Sequence, residues 1–421
     1  MFLVAVEWKD EQVWDVRDSL AELHELVASA GGSVVGNGTQ RLDAPVASTY
    51  IGSGKAAEFA GRCKGESVDT VVFDEELSPA QARNLEALFE CKILDRTSLI
   101  LDIFAQRART REGKLQIELA QLEHLLPRLT RFWGHLSRQK GGIGMRGDGE
   151  TQLETDRRRV QDRIARLQRE LDEVRQHRST QREGRQRRLW PLASIVGYTN
   201  AGKSTLLNRL TGASALAEDK LFATLDPTTR RLRLPTNQNV LLTDTVGFIK
   251  KLPHGLVEAF KATLEEVVLA DLLIHVVDVS HPSAEEHILA VESVLREIGA
   301  EGRASLMVFN KMDAFGVEER IRQFRERHPA AVAVSAKTGQ GVDDLLAAIG
   351  AALRPIRQLL ELQIPHSEAA TIARLHEIGE VVECDYDGPQ VRLKARVQPH
   401  HAREFAAFAA VETPGAEKNG Q

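Results

Sequence analysis

Residues 197–204 read Gly197-Tyr198-Thr199-Asn200-Ala201-Gly202-Lys203-Ser204, the spacing G-x-x-x-x-G-K-[ST]. The short apolar run Leu192 to Val196 precedes it, with the look of a buried strand, and Thr205-Leu206-Leu207-Asn208-Arg209-Leu210 opens a helix after it. A glycine-rich turn from strand to helix lets consecutive backbone N–H groups wrap phosphate oxygens, and the helix N-terminus adds partial positive charge. Lys203 is placed to reach the β/γ-phosphates, and the Ser204 hydroxyl to ligate Mg²⁺. A chain built around such a turn is bound to an α/β sheet with the loop at the carboxyl end of a strand. The bland alternative, a glycine turn without chemistry, is weakened by every motif that follows.

Downstream, Phe222-Ala223-Thr224-Leu225-Asp226 precedes a strand at Leu232 to Leu234. A switch segment needs a threonine that closes on Mg²⁺ and the γ-phosphate. Thr224, Thr228 and Thr229 all compete, and spacing does not choose among them. The strand Val240 to Leu242 feeds Asp244-Thr245-Val246-Gly247-Phe248, where Asp244 is placed to hold Mg²⁺ through a water and the Gly247 N–H to sense the γ-phosphate. Two further strands, Leu272 to Asp278 and Leu306 to Phe309, lead to Asn310-Lys311-Met312-Asp313. The Asp313 carboxylate can accept from guanine N1–H and the 2-amino group, a donor pair adenine lacks. The Lys311 stem can cover the base face while Asn310 ties loops together. Ser335-Ala336-Lys337 ends another strand and offers a backbone N–H for guanine O6. In this order and spacing the five elements imply a GTP/GDP-binding domain.

The rest of the chain is organised around that domain. The 421 residues suffice for several domains, and the 42% hydrophobic and 27% charged content is that of an ordinary globular chain. Cys63, Cys91 and Cys384 share no metal-ligand spacing, so a reduced compartment is expected. No run of about 18 apolar residues occurs, and the start is too soon charged for a signal peptide. The expectation is a cytoplasmic protein with no membrane span. Net charge is −5, but residues 107–188 hold 21 Lys+Arg against 12 Asp+Glu, so a locally basic segment sits in an otherwise acidic chain. That asymmetry suits a polyanionic partner, the alternative being a solvated helix face.

The predicted architecture is an α/β multidomain chain. Residues 1–107 alternate strands (Phe2 to Val6, Ser33 to Val35, Thr70 to Phe73, Lys92 to Leu94) with helices (Glu11 to Ser29, Ser53 to Lys64, Pro79 to Phe89, Thr97 to Arg107), an N-terminal α/β domain with a parallel or mixed sheet. Gly52-Ser53-Gly54-Lys55 resembles a phosphate loop, but Ala56 follows the Lys and Thr49 stands in place of the first Gly, so a loop or helix start is expected. Residues 108–183 carry two apolar seams, Leu115, Leu119, Leu122, Leu126, Leu129 and Leu153, Val160, Ile164, Leu167, Leu171, Val174, which predict a long antiparallel helical hairpin. Its basic tip at 141–150 is glycine-rich. Gly142, Gly144 and Gly147 match G-x-G-x-x-G by letter, but a helix, not a strand, precedes them, so a dinucleotide fingerprint is rejected. Such a tip can order in an RNA crevice, or serve as a plain connection. An Arg-dense linker spans 184–190, the nucleotide domain with its mostly parallel sheet 191–355, a small C-terminal α+β domain 356–412, and a disordered tail 413–421. His366, His400 and His401 are expected at the surface.

Ile143-Gly144-Met145-Arg146-Gly147-Asp148-Gly149-Glu150-Thr151-Gln152-Leu153-Glu154-Thr155-Asp156-Arg157-Arg158, with Asp95-Arg96-Thr97 and Phe222 to Asp226, resembles the HflX family of ribosome-associated GTPases over nearly the whole chain. The resemblance implies binding to the large (50S) ribosomal subunit and its 23S rRNA, and splitting or rescue of stalled 70S ribosomes. It selects Thr224 as the Mg²⁺-ligating switch threonine beside Ser204, making Lys203, Thr224 and Gly247 the candidate catalytic set. ATP-linked activity outside the nucleotide domain is credited to some members, but no second phosphate loop supports it here. Phe248 occupies the place of the water-positioning Gln of Ras-like proteins, and Phe cannot orient a water. Slow hydrolysis that ribosomes stimulate is therefore expected. Asn200 resembles the Asn of K⁺-stimulated GTPases, which adds K⁺ to the expected cofactors. The chain is expected to be monomeric. The competing readings are a GTP-gated anti-association factor in which hydrolysis only times release, and an RNA-unwinding ATPase using the N-terminal half.

Overall fold

A computed structural model of the chain describes residues 1–9, 13–129, 148–186, 190–212, 221–251, 264–353, 358–387, 389–397 and 399–409. The expected basic tip at 141–150, apart from the backbone of its last three residues, and the tail at 413–421 lie outside them. The chain divides into two compact units. The first holds Met1–Ser179, Leu216–Pro227 and Thr245–Glu265; the second holds Thr180–Ala215, Thr228–Asp244 and Glu266–Gln421.

The first unit begins β1 (Phe2–Trp8), α1 (Val13–Ser29), β2 (Gly36–Leu42), α2 (Ser53–Gly65), β3 (Thr70–Phe73), α3 (Pro79–Phe89), β4 (Lys92–Asp95), α4 (Arg96–Arg107). The strands form an all-parallel sheet in the order β2-β1-β3-β4. Phe2, Val4, Phe59, Val71, Phe73 and Leu85 fill its core. The expected strand at Ser33 to Val35 is displaced to Gly36–Leu42. This is an edge strand of sequence GNGTQRL in which only Gly38 is buried, so it lacks the apolar alternation that marks strands. Gly38 is required there, because a Cβ would stand 2.6 Å from the Phe59 ring.

Two long helices follow, α5 (Arg111–Leu129) and α6 (Asp148–Gln186). Leu115, Leu167 and Leu171 are buried together, with Leu119, Leu122 and Val174 packed against them. Arg163 grips Glu118 through two bonds of 2.7 and 2.8 Å, and Arg111 approaches Glu170 at 3.8 Å. Rising numbers on one helix meet falling numbers on the other, so the pair is antiparallel. At 39 residues α6 extends about 58 Å. It runs through Gly184 to Gln186, where a linker was expected. One glycine costs a helix only about 1 kcal/mol, which neighbouring Arg and Gln residues of good helix propensity absorb.

The second unit contains a six-stranded sheet: β5 (Leu192–Gly197), α7 (Lys203–Thr211), β6 (Thr228–Arg233), β7 (Asn239–Asp244), β8 (Leu272–Asp278), α8 (Ala284–Glu297), β9 (Ser305–Asn310), α9 (Glu318–Arg327), β10 (Val332–Ala333) and α10 (Val342–Ala352). The order is β10-β9-β8-β5-β7-β6, parallel except for β6 against β7. β5 is thus internal, and its residues Ala193 and Ile195 are fully buried with Leu206, Leu242 and Ile274. The unit closes with β11 (Gln358–Pro365), α11 (Ala369–Ile378), β12 (Glu380–Asp387) and β13 (Gln390–Val397), an antiparallel sheet ordered β11-β13-β12. After β13 the chain makes one α-turn, Pro399–Ala402, and a 3₁₀ stretch, Arg403–Phe408, that sends Phe405 into this core.

His275 of β8 is buried, and burial pushes its pKa down from 6.5 to about 4, with His328 and Lys203 adding repulsion. The folded state therefore resists a proton that the unfolded chain accepts. Its contribution is complete above pH 6.5 and is lost as pH falls toward 4, a cost of about 3 kcal/mol. Urea unfolding of His275→Gln should show a flatter pH dependence between 6.5 and 4 than the parent chain; identical slopes would contradict this.

Candidate functional site

The phosphate loop leaves β5 at Gly197 and enters α7 at Lys203. Its glycines are fixed by close approach. Gly197 has φ of 153° and a Cβ there would collide with the Val276 carbonyl; Gly202 has φ of 88° and a Cβ would collide with the Asn310 amide nitrogen. Asn200 adopts φ of 59°, a conformation Asn tolerates better than most residues. Tyr198 is buried and stacks on His287 of α8, ring centroids 3.7 Å apart and nearly parallel.

Lys203 is enclosed, its Nζ donating to the Tyr198 carbonyl at 2.8 Å. Burial lowers its pKa from 10.5 to about 8, and the Asp244 carboxylate opposes that shift. Next to it, Ser204 Oγ donates to Asp244 Oδ2 at 2.6 Å. This pairing of a hydroxyl with a carboxylate at the mouth of a phosphate loop fits a hard, oxygen-seeking cation such as Mg²⁺.

Asn310 joins the two halves of the site. Its Nδ2 donates to the Ala201 carbonyl at 2.8 Å, and its Oδ1 accepts from the Ala336 N–H at 3.0 Å. Lys311 pairs with Asp278 at 2.7 Å, which holds its stem along the loop, while Asp313 is exposed. Ser335 is fully buried and ties its loop down, its Oγ accepting from the Thr338 N–H at 3.0 Å and its N–H donating to the Gln340 carbonyl at 2.9 Å. Arg209 of α7, which no motif singles out, donates to the Ala336 carbonyl at 3.1 Å and also to the Lys337 carbonyl. Gly197 to Thr205, Asp244, Asn310 to Asp313 and Ser335 to Lys337 thus all belong to the second unit.

Of the expected switch residues, Phe222 to Asp226 and Thr245 to Phe248 belong to the first unit. Thr228 and Thr229 lie in β6, where the Thr229 hydroxyl faces that of Thr243 at 3.0 Å; Thr224 lies outside any strand. The Phe222 ring is buried against Phe104, centroids 4.6 Å apart, and Leu225 is buried too. The Asp226 carboxylate takes backbone N–H groups of Arg109 and Thr110. The side chains of Phe222 and Asp226 therefore contact residues of this same unit. Thr245, Val246 and Phe248 are also buried. Beyond them, Lys251 pairs with Asp74 at 2.9 Å and Glu75 at 2.5 Å, and Arg96 donates to the Lys250 carbonyl at 3.2 Å. The decoy at 52–55 is the start of α2: the Gly52 N–H donates to Gln40 Oε1 at 2.8 Å, and Lys55 pairs with Glu58. Among the described residues no cluster of three or more His, Cys, Asp or Glu is poised for a metal, and no helix is long and apolar enough to cross a membrane.

A parallel-rich sheet with this loop, an Asn-Lys-Met-Asp turn and a Ser-Ala-Lys turn defines a P-loop GTP-binding domain. The sequence comparisons agree. The profile described as "50S ribosome-binding GTPase" matches residues 193–311, and those described as "GTP-binding GTPase N-terminal" and "GTP-binding GTPase Middle Region" match 17–105 and 107–185. The protein named GTPase HflX of Lacrimispora saccharolytica is 48% identical over 397 residues, 94% of this chain and 93% of its own. That of Escherichia coli strain K12 is 49% identical over 365 residues, 86% of each chain. A crystal structure described as a complex of SsGBP and GDP is 26% identical, covers 83% of this chain and 97% of its own, and superposes with a TM-score of 0.48. The chain belongs to the HflX GTPase family.

A polyphosphate favours the charged Lys203, which the protein alone releases above pH about 8. Nucleotide binding must then take up a proton, so GDP affinity should be flat below pH 7 and fall up to about tenfold per unit between pH 8 and 10. Calorimetric titration across this range checks it; constant affinity to pH 9.5 would contradict it.

Proposed function

We propose that this GTPase acts on ribosomes: it binds the 50S subunit through its helical hairpin and splits or rescues stalled 70S particles in the cytoplasm. The observation that carries this reading is the antiparallel α5/α6 pair within a segment of 21 Lys+Arg against 12 Asp+Glu. A phosphate backbone attracts such an arm regardless of sequence. The related profile described as "50S ribosome-binding GTPase" points to the same partner. Charge on the arm sets affinity, and the nucleotide decides when the arm is released. The domain limits we assign are 1–107, 108–183, 184–190, 191–355 and 356–412, and the working form is a monomer.

In the nucleotide site, the backbone of Gly197 to Thr205 and Lys203 hold the phosphates. Asp313 accepts from the guanine edge, Lys311 covers the base and the Ser335 to Lys337 turn meets O6. Ser204, with Asp244 beside it, would hold Mg²⁺; the family resemblance adds Thr224 as a second ligand and Gly247 as the γ-phosphate sensor. When bound, Mg²⁺ would supply charge neutralisation to the phosphates, and Lys203 stabilises charge developing on the transferred group. Buried Phe248 brings no polar group to the attacking water, so ribosomal contact completes the site, and K⁺ near Asn200 would add positive charge.

The test is sedimentation with 30S, 50S and 70S particles in each nucleotide state, with GTP hydrolysis followed in parallel in Na⁺ and in K⁺. The reading expects retention on 50S with a slowly hydrolysed GTP analogue, release with GDP, and hydrolysis at least about tenfold faster with ribosomes and faster in K⁺. Hydrolysis indifferent to ribosomes would overturn the first part, and equal rates in the two salts the K⁺ part. Full splitting of 70S by the analogue in one round favours the anti-association reading, in which hydrolysis only resets the factor.

A further inference from the structure

The two segments that flank the expected switch residues leave the nucleotide sheet at one rung, where Thr228 of β6 lies opposite Asp244 of β7. Traced back from Thr228, the chain passes through Pro227 to Asp226, and there it is gripped. Asp226 Oδ2 accepts the N–H of Arg109 at 2.8 Å and of Thr110 at 3.0 Å, while Oδ1 takes the Thr110 hydroxyl. The Thr110 oxygen in turn accepts the Gly113 N–H at 3.0 Å. Thr110 is therefore the N-cap of α5, the first helix of the arm, and Asp226 supplies a charged acceptor to that helix start from 116 residues away. Contact is close enough to dictate sequence on both sides, since a Cβ on Gly113 would stand 2.5 Å from Asp226 Oδ1. Four residues earlier, Phe222 is held at φ of 56°, an uncommon state for a bulky residue, with its ring buried edge-on against Phe104 of α4. Thr224 lies between these two anchors.

We propose that Asp226 is a positioning residue for GTP hydrolysis. Its carboxylate, by capping α5, holds residues 222–226 so that Thr224 is presented in a single backbone conformation. The nucleotide, by holding or releasing Thr224, sets in return how firmly the arm's first turn is capped. The inference rests on the reading of Thr224 as the switch threonine. It assigns Asp226 to α5 and makes Gly113, 84 residues before the phosphate loop, a determinant of turnover.

Gly113→Ala tests this without touching the nucleotide domain, because the added methyl must displace Asp226 or shift α5. The expected result is a fall in kcat of about tenfold, with GDP affinity within twofold of the parent. Asp226→Ala should behave alike, and Asp226→Asn, which keeps one carbonyl acceptor, should fall between. Hydrogen exchange of the amides at 109–114 should differ between GDP and a slowly hydrolysed GTP analogue in the parent chain, and that difference should vanish in Gly113→Ala. A parental kcat in Gly113→Ala, exchange at 109–114 blind to nucleotide in the parent, or a loss of GDP affinity in step with kcat would each overturn the proposal. Thr224→Ala separates the two levels: if it leaves kcat intact, the switch reading fails, whereas an inactive Thr224→Ala beside a normal Gly113→Ala fails the latch alone.

Discussion

One carboxamide holds the nucleotide site together. Asn310 donates to the carbonyl of Ala201 in the phosphate loop and accepts from the N–H of Ala336 in the loop expected to meet the base. Both bonds are buried, where an unmatched polar group is costly. The same contact explains Gly202, whose missing side chain is the space Asn310 occupies. The spacing of glycine and lysine in one motif and the asparagine of another are thus a single steric solution, although 108 residues separate Gly202 from Asn310. Arg209 completes the frame from the far end of the phosphate-loop helix by holding the carbonyls of Ala336 and Lys337.

The fold of the second unit was largely legible in the sequence because its motifs report backbone demands. A strand, a glycine turn and a helix start leave few other structures for residues 192–211, and buried strands such as Leu272–Asp278 announce themselves by continuous apolar runs. The antiparallel seam of α5 and α6 was legible from its spacing. What escaped lacks an apolar signal: the polar edge strand Gly36–Leu42, and the helix that continues through Gly184. Arg209 escaped for another reason. A side chain that bonds to carbonyl groups far along the chain leaves no mark of its own in sequence. Gly113 is similar, a helix glycine whose purpose appears only with Asp226 beside it.

The segments expected to act as switches show side chains held elsewhere than the motif suggests. Their letters suggest residues facing nucleotide, yet the side chains of Phe222 and Asp226 contact the first unit, and Lys251 closes the second segment on Asp74 and Glu75. Arg96 reinforces that end, pairing with Asp74 at 2.7 Å and also with Glu22 while it donates to the Lys250 carbonyl. Segments anchored in this way at residues near both ends have few conformations to choose from. Such two-sided anchoring suits a switch that must pass a local change in phosphate contacts to an arm many residues away.

The central claim is that base recognition and phosphate binding form one unit through Asn310. Calorimetric titration of Asn310→Ala with GDP addresses it most directly, with circular dichroism as a check on the fold. The expected result is one guanine nucleotide bound per parent chain and an affinity weaker on the order of 100-fold in the variant, because both the Ala201 carbonyl and the Ala336 N–H lose a buried partner. An affinity within a few-fold of the parent, with the fold intact, would contradict it.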